Sequence, residues 1–208
     1  FPSNNYYWAS GTSMATPFVA GLSALIKSKY PNYDWIKIKN LILTGGKNLS
    51  SLYGKTITGK IIRADGSLSP GNNVVLARLR PIGNKVSCFV DDGIEISVLH
   101  IRNESANGNI NVNVLETGET INLLDNGSGF DKVSGDGIYS GIWKPPGAGK
   151  YTLLFPNNDI VEVYALNKYN FQTTTYNWRQ ITGTNLNLTD ESVKKITSPF
   201  PVKFGDYS

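Results

Sequence analysis

The hydrophobic periodicity of this 208-residue chain changes once, at about residue 86, and no single kind of regular structure accommodates both parts. Over residues 14–30 the apolar side chains recur at helical steps: Ala15, Val19, Leu22, Ile26 and Tyr30 fall on one face. Ala15, Ala20, Gly21 and Ala24 keep part of that surface small, which suits a helix enclosed by other backbone. Pro17 is expected in the first turn, where a missing N–H costs nothing, and Pro31 ends the helix. A second helix is predicted over 34–43, capped by Asp34, with Trp35, Ile38, Leu41 and Ile42 together and Gly45-Gly46 as the stop. Beyond a turn-rich stretch at 47–70, the pattern alternates. Ile94, Ile96 and Val98 interleave with Glu95, Ser97 and Leu99, and Ile110, Val112 and Val114 with Asn111, Asn113 and Leu115. Further strands are predicted over 120–124, 137–143, 151–155 and 160–166. Asn107-Gly108, Asp125-Asn126-Gly127, Asp136-Gly137 and Pro146-Gly147 punctuate them. Short strands at that spacing predict an antiparallel β-sandwich of about 80 residues, able to bury both inner faces and to fold alone.

Composition narrows what such a chain does. The net charge is +4, but the 20 Lys and Arg are scattered rather than blocked, which reads as a solvated surface and not a nucleic-acid site. The single cysteine, Cys88, excludes a disulfide framework within these residues and reads as a small core hydrophobe. No run of 18 apolar residues supplies a membrane-spanning helix. Phe1 is not an initiating Met and stands a few residues before a reactive-looking motif, so the chain is expected to be a piece of a longer protein.

That motif is Gly11-Thr12-Ser13-Met14-Ala15-Thr16-Pro17. A serine in the first turn of a buried helix lies at the positive end of the helix dipole, among N–H groups that lack intrahelical acceptors. Its own N–H can then support the oxyanion formed when its hydroxyl attacks a carbonyl carbon. Gly11 lets a neighbouring strand or a substrate approach closely. The plainer alternative is that Ser13 only caps a helix.

The heptapeptide, continued as Phe18-Val19-Ala20-Gly21, resembles the nucleophile motif of the subtilisin-like serine peptidases. The similarity extends through Leu25–Asn32 into the second helix. Gly59–Leu68 resembles the closing segment of that catalytic domain. Phe18 departs from the His found there in many members, a His that is not the catalytic base. The resemblance implies an α/β fragment, the C-terminal part of a subtilisin-like domain at residues 1–80. An all-β antiparallel sandwich at 84–166, immunoglobulin-like, is expected to follow, and then the start of a further β-domain at 167–208. It implies a serine endopeptidase acting on proteins, secreted or at the cell surface. Ser13 would be nucleophile and oxyanion donor, with Gly11 and Thr12 lining the substrate. It requires no cofactor.

The family's triad runs Asp, His, Ser in chain order. None of the 12 residues before Ser13 is Asp or His, and the one histidine, His100, lies in a predicted strand. A serine without its base is a poor nucleophile. The 208 residues alone are therefore expected to be inactive, with the base, its orienting carboxylate and the oxyanion Asn elsewhere. The rival reading is an extracellular adhesion or binding protein carrying an inactive peptidase-like domain.

One further cluster stands out. Asp125, Asp131 and Asp136 fall within 12 residues of Gly-rich sequence. Clustered oxygens on a loop suit calcium, although the spacing fails the EF-hand pattern. The segment also resembles a Gly- and Asp-rich hairpin of immunoglobulin-like domains in secreted bacterial proteins, where such residues are turn chemistry. In the tail, Thr182–Asp190 and Ser198–Gly205 look like the start of another extracellular β-domain.

Overall fold

The structure is a computed structural model, and it describes residues 8–169 together with Thr175, Asn187, Thr189 and Val193. Residues 8–169 fall within one compact unit. The expectations for 182–205, and nearly all of 167–208, fall outside the described residues.

The chain opens with α1 (Thr12–Lys29) and α2 (Trp35–Gly45). Asp34 caps α2 by accepting from Lys37 N at 2.9 Å, as its sequence predicts. A two-stranded ribbon of β1 (Lys47–Asn48) and β2 (Lys60–Ile61) follows, then the short α3 (Ala64–Leu68). Leu22 and Ile26 of α1 pack on Leu41 of α2, with Tyr30, Ile38, Ile62 and Leu68 around them. Lys29 Nζ and Tyr30 OH both donate to Leu68 O and pin α3 to the end of α1.

One detail of α1 differs from expectation. The helix begins at Thr12, so Pro17 lies inside it rather than in its first turn, and the N–H that would close onto the Ser13 carbonyl is missing. The small face of Ala15, Ala20 and Ala24 is exposed, because α1 is packed on one side only. Phe18 and Leu25 are exposed as well.

The remaining strands form two sheets. The first contains β3 (Val74–Arg80), β5 (Ile94–Arg102), β6 (Ser105–Ala106) and β9 (Ile138–Trp143). Here β5 is central, pairing with β3 on one edge and with β6 and β9 on the other. The second sheet runs β4-β11-β10-β7-β8, from β4 (Lys85–Phe89), β7 (Ile110–Val114), β8 (Thr120–Leu123), β10 (Gly149–Leu154) and β11 (Ile160–Leu166). Alternation decides which side chains go inward. Ile96 and Val98 from the first sheet share one core with Val112, Leu123, Leu153, Val161 and Val163 from the second. Trp143 fills it, edge-on to Tyr151 at 5.3 Å, with its Nε1–H donating to Glu119 at 2.8 Å.

The sheets are not wholly antiparallel as expected, since β4 pairs in parallel with β11. No hairpin joins these first and last strands of that sheet, so neither is bound to run against the other. Val74–Arg80 is an edge strand of the first sheet, in register with β5 from Val74↔Arg102 to Arg78↔Val98, with a shift before Arg80↔Ser97.

The outer face of that first sheet seats α2. Leu43 packs on Val75, Leu99 and Ile101. Around it, Asn40 Nδ2 donates to Glu104 O at 3.2 Å, Thr44 Oγ1 to Asn103 O at 3.1 Å, and Lys39 Nζ to Asp136 O at 2.9 Å. The helical segment and the sheets are thus joined by burial and by polar contacts that meet buried backbone groups.

Candidate active site

Gly11 is the residue before α1, with φ 145 and ψ 167, a region that favours glycine. Its carbonyl accepts from Met14 N at 3.0 Å and Ala15 N at 3.3 Å, and no side chain caps the helix. Ser13 is the second residue of α1 and not its cap. Its hydroxyl is exposed and has no hydrogen-bond partner among the described residues. The N–H groups of Thr12 and Ser13 belong to the first turn, where no intrahelical carbonyl can reach them. The neighbouring Thr16 hydroxyl turns back to Thr12 O at 2.9 Å and is occupied. The geometry therefore leaves a free hydroxyl and free N–H donors together at the positive end of an 18-residue helix.

The described residues bring no imidazole to that hydroxyl by any hydrogen bond. His100 lies on β5, where its Nε2 accepts from Asn107 Nδ2 at 2.8 Å and its Nδ1 is buried without a partner. Burial first, and then the charge of Arg102, hold its pKa below the usual histidine value, so the ring is neutral at pH 7.

Residues 1–59 match the subtilase family. This segment includes Gly11, Thr12 and Ser13, α1 and α2. It is 47% identical over 57 residues to subtilisin DY of Bacillus licheniformis, covering 26% of this chain and 21% of that protein. A thermostable alkaline protease of Halalkalibacterium halodurans is 48% identical over 56 residues, covering 26% and 16%. Alkaline elastase YaB of a Bacillus species is 44% identical over 50 residues, covering 24% and 13%. The chain thus spans about a fifth or less of the length of these relatives. Among solved structures, an engineered protein aligns over 52% of this chain and 24% of its own, at 14% identity and a TM-score of 0.29, too low to speak to the fold. All but the first residue of the resemblance read over 59–68, and both of the larger sheets, lie beyond the subtilase match.

The three aspartates do come together. One carboxylate oxygen from each of Asp125, Asp131 and Asp136 lies within 4.8 Å of the others, a spacing a single cation could bridge. Each is also an acceptor for its own loop. Asp125 takes Gly135 N at 2.6 Å, Asp136 N at 3.2 Å and Gly137 N at 2.9 Å. Asp131 takes Gly127 N and Val133 N. Asp136 takes Ile138 N at 2.8 Å and is paired with Lys39 at 3.2 Å. These contacts are turn chemistry. Burial, then the charges of Asp131 and Asp136, raise the Asp125 pKa above its ordinary 3.8 despite the N–H donors. A carboxyl whose pKa is higher folded than unfolded contributes stability that is lost as pH rises through the folded value. Asp125→Asn is therefore expected to be more destabilising at about pH 3 than at pH 7, and urea unfolding of both proteins at the two pH values checks this.

Sequence reasoning missed the joint made by Lys39, Asn40 and Thr44. The signal was present: Asn40 and Thr44 lie four residues apart on the apolar side of α2, and both are buried. No helix among the described residues is long and apolar enough to cross a membrane.

Proposed function

We propose that residues 1–80 are the Ser-bearing, C-terminal part of a subtilisin-like serine endopeptidase, and that Ser13 is its nucleophile. The observation that carries this is the unpartnered Ser13 hydroxyl at the start of α1, inside the subtilase match. In this reading Ser13 Oγ attacks the scissile carbonyl carbon of a protein substrate while a histidine of the longer protein takes its proton. An aspartate orients that histidine. The developing oxyanion is met by the Ser13 N–H and a second donor. Collapse of the tetrahedral intermediate breaks the C–N bond, and the histidine returns the proton to the leaving amine. Water then releases the acyl group from Ser13 Oγ by the same steps in reverse order. Gly11 and Thr12 flank the site, and the substrates are extracellular proteins.

A fluorophosphonate probe tests the assignment. It is expected to label the longer protein at Ser13, identified by mass spectrometry of the adduct. The 208-residue chain, with no imidazole at the serine, is expected to hydrolyse no chromogenic peptide. Labelling of the longer protein at another residue would overturn the assignment.

A further inference from the structure

The outer face of the four-stranded sheet is only partly covered by α2. Beside that helix it opens into a cleft of about 1160 Å³, walled by the 54–57 turn, the connection around residue 82 and the 130–133 loop. That is above the range of about 300–1,000 Å³ usual for small-molecule sites and suits a longer occupant. On its floor, Ser97 of β5 stands opposite Ser140 of β9. Both residues are more than nine-tenths buried, at 4% and 7% exposure, yet neither hydroxyl has a hydrogen-bond partner among the described residues. Neither oxygen is among the enclosed unpartnered atoms, so both hydroxyls open onto the cleft, where a ligand's polar group can reach them.

The rim has two chemistries. Ile57, Ile82 and Phe130 are exposed there, at 60%, 72% and 43%. Lys55, Arg80 and Lys132 also line the cleft, all exposed and none in an ion pair. The lining carboxylates are mostly committed. Asp159 is paired with Arg78, Asp136 with Lys39, and buried Asp131 with backbone N–H groups. Glu95 is the unpaired one. Lys55, Arg80 and Lys132 are thus the exposed, unpaired cations of the rim against Glu95 alone, while Asp131 keeps its charge beneath them.

We propose that this cleft binds an extended peptide segment of a partner protein in which acidic and large apolar side chains alternate. Its carboxylates meet Lys55, Arg80 and Lys132, a polar group reaches Ser97 and Ser140, and its apolar side chains cover Ile57, Ile82 and Phe130. A strand-like peptide divides its side chains between two directions in this way. A sulfated polysaccharide would satisfy the cations and leave the three apolar residues uncovered. This site is independent of catalysis at Ser13, so its failure and the failure of the peptidase assignment are separately visible.

Fluorescence anisotropy on the 208-residue chain tests it. The probe is a labelled decapeptide alternating Glu with Leu and Phe, compared with the same peptide carrying Lys for Glu and with a sulfated oligosaccharide. The acidic peptide is expected to bind with a Kd of about 1–100 μM, weakening as salt rises. Lys55→Glu with Arg80→Glu is expected to weaken it about tenfold or more, and Ser97→Ala with Ser140→Ala about fivefold. Lys144→Glu, an exposed charge outside the cleft, is expected to leave it unchanged. Circular dichroism melts confirm that each variant is folded. Absence of binding, binding indifferent to the cleft substitutions in folded variants, or equal binding of the lysine peptide or the oligosaccharide would overturn the proposal.

Discussion

Ser13→Ala in the longer protein is expected to lower kcat for peptide hydrolysis by about a millionfold, the size of loss known for the nucleophile of subtilisin itself. The structure makes this a clean experiment. The Ser13 hydroxyl caps nothing and has no hydrogen-bond partner among the described residues, and alanine is the best helix former for a position inside α1. Stability should therefore change by less than about 0.5 kcal/mol, and lost activity cannot be assigned to lost folding. Steady-state kinetics beside a thermal melt separate the two. Full turnover by a folded Ala variant would place the nucleophile elsewhere and favour a binding protein with an idle peptidase-like segment.

Gly137→Ala is expected to be among the most damaging substitutions in the sheets. Gly137 has φ 86, which side-chain-bearing residues rarely adopt. Any Cβ there would fall well inside contact distance of Ile101 Cγ2, and Ile101 is fully buried beneath α2. The backbone cannot simply slide away. Gly137 O accepts from His100 N at 2.8 Å, and Gly137 N donates to Asp125. Backbone strain of about 1–3 kcal/mol adds to overpacking of about 1–3 kcal/mol. A loss of about 3–5 kcal/mol is a large share of the stability of a domain this size. Urea denaturation measures it. A cost below about 1 kcal/mol would mean that the 136–138 turn is looser than its hydrogen bonds describe. The double variant with Ile101→Ala should cost less than the two single changes together, because the second change removes the methyl that the first collides with.

The sequence made the helices legible because their signals are local. Asp34 at the cap, Pro31 at the stop and the spacing of Leu22 and Ile26 all act within a turn or two. Six strands were legible for the same reason, since alternation and Gly turns need no distant partner. Val74–Arg80 was not. Arg78 breaks its apolar run and reads as surface. In the fold its guanidinium is tied to Asp159, Asn84 and the carbonyls of Pro81 and Gly83, and Asp159 is 81 residues away in sequence. The parallel pairing of β4 with β11 joins residues more than 70 apart in sequence, with one face of β11 buried and the other exposed, and leaves no mark on either strand alone. At the candidate active site the hydroxyl was legible and its surroundings were not. The motif pointed to Ser13, whereas the exposure of the small face of α1 emerges only from which neighbours the fold supplies. Ser97 and Ser140 looked like ordinary alternating polar positions, and only pairing across β5 and β9 brings them together.

The seating of α2 on the outer sheet face bears on how this protein can be rearranged by recombination. Lys39, Asn40 and Thr44 read Asp136, Glu104 and Asn103, so the helix and the sheet carry matched halves of one lock. A chimera that grafts foreign strands behind residue 70, or these strands behind a foreign helical segment, inherits one half only. It would leave Leu99 and Ile101 facing the wrong side chains. Exchange between relatives is therefore tolerated where α2 and the strands from Val74 onward travel as a single cassette.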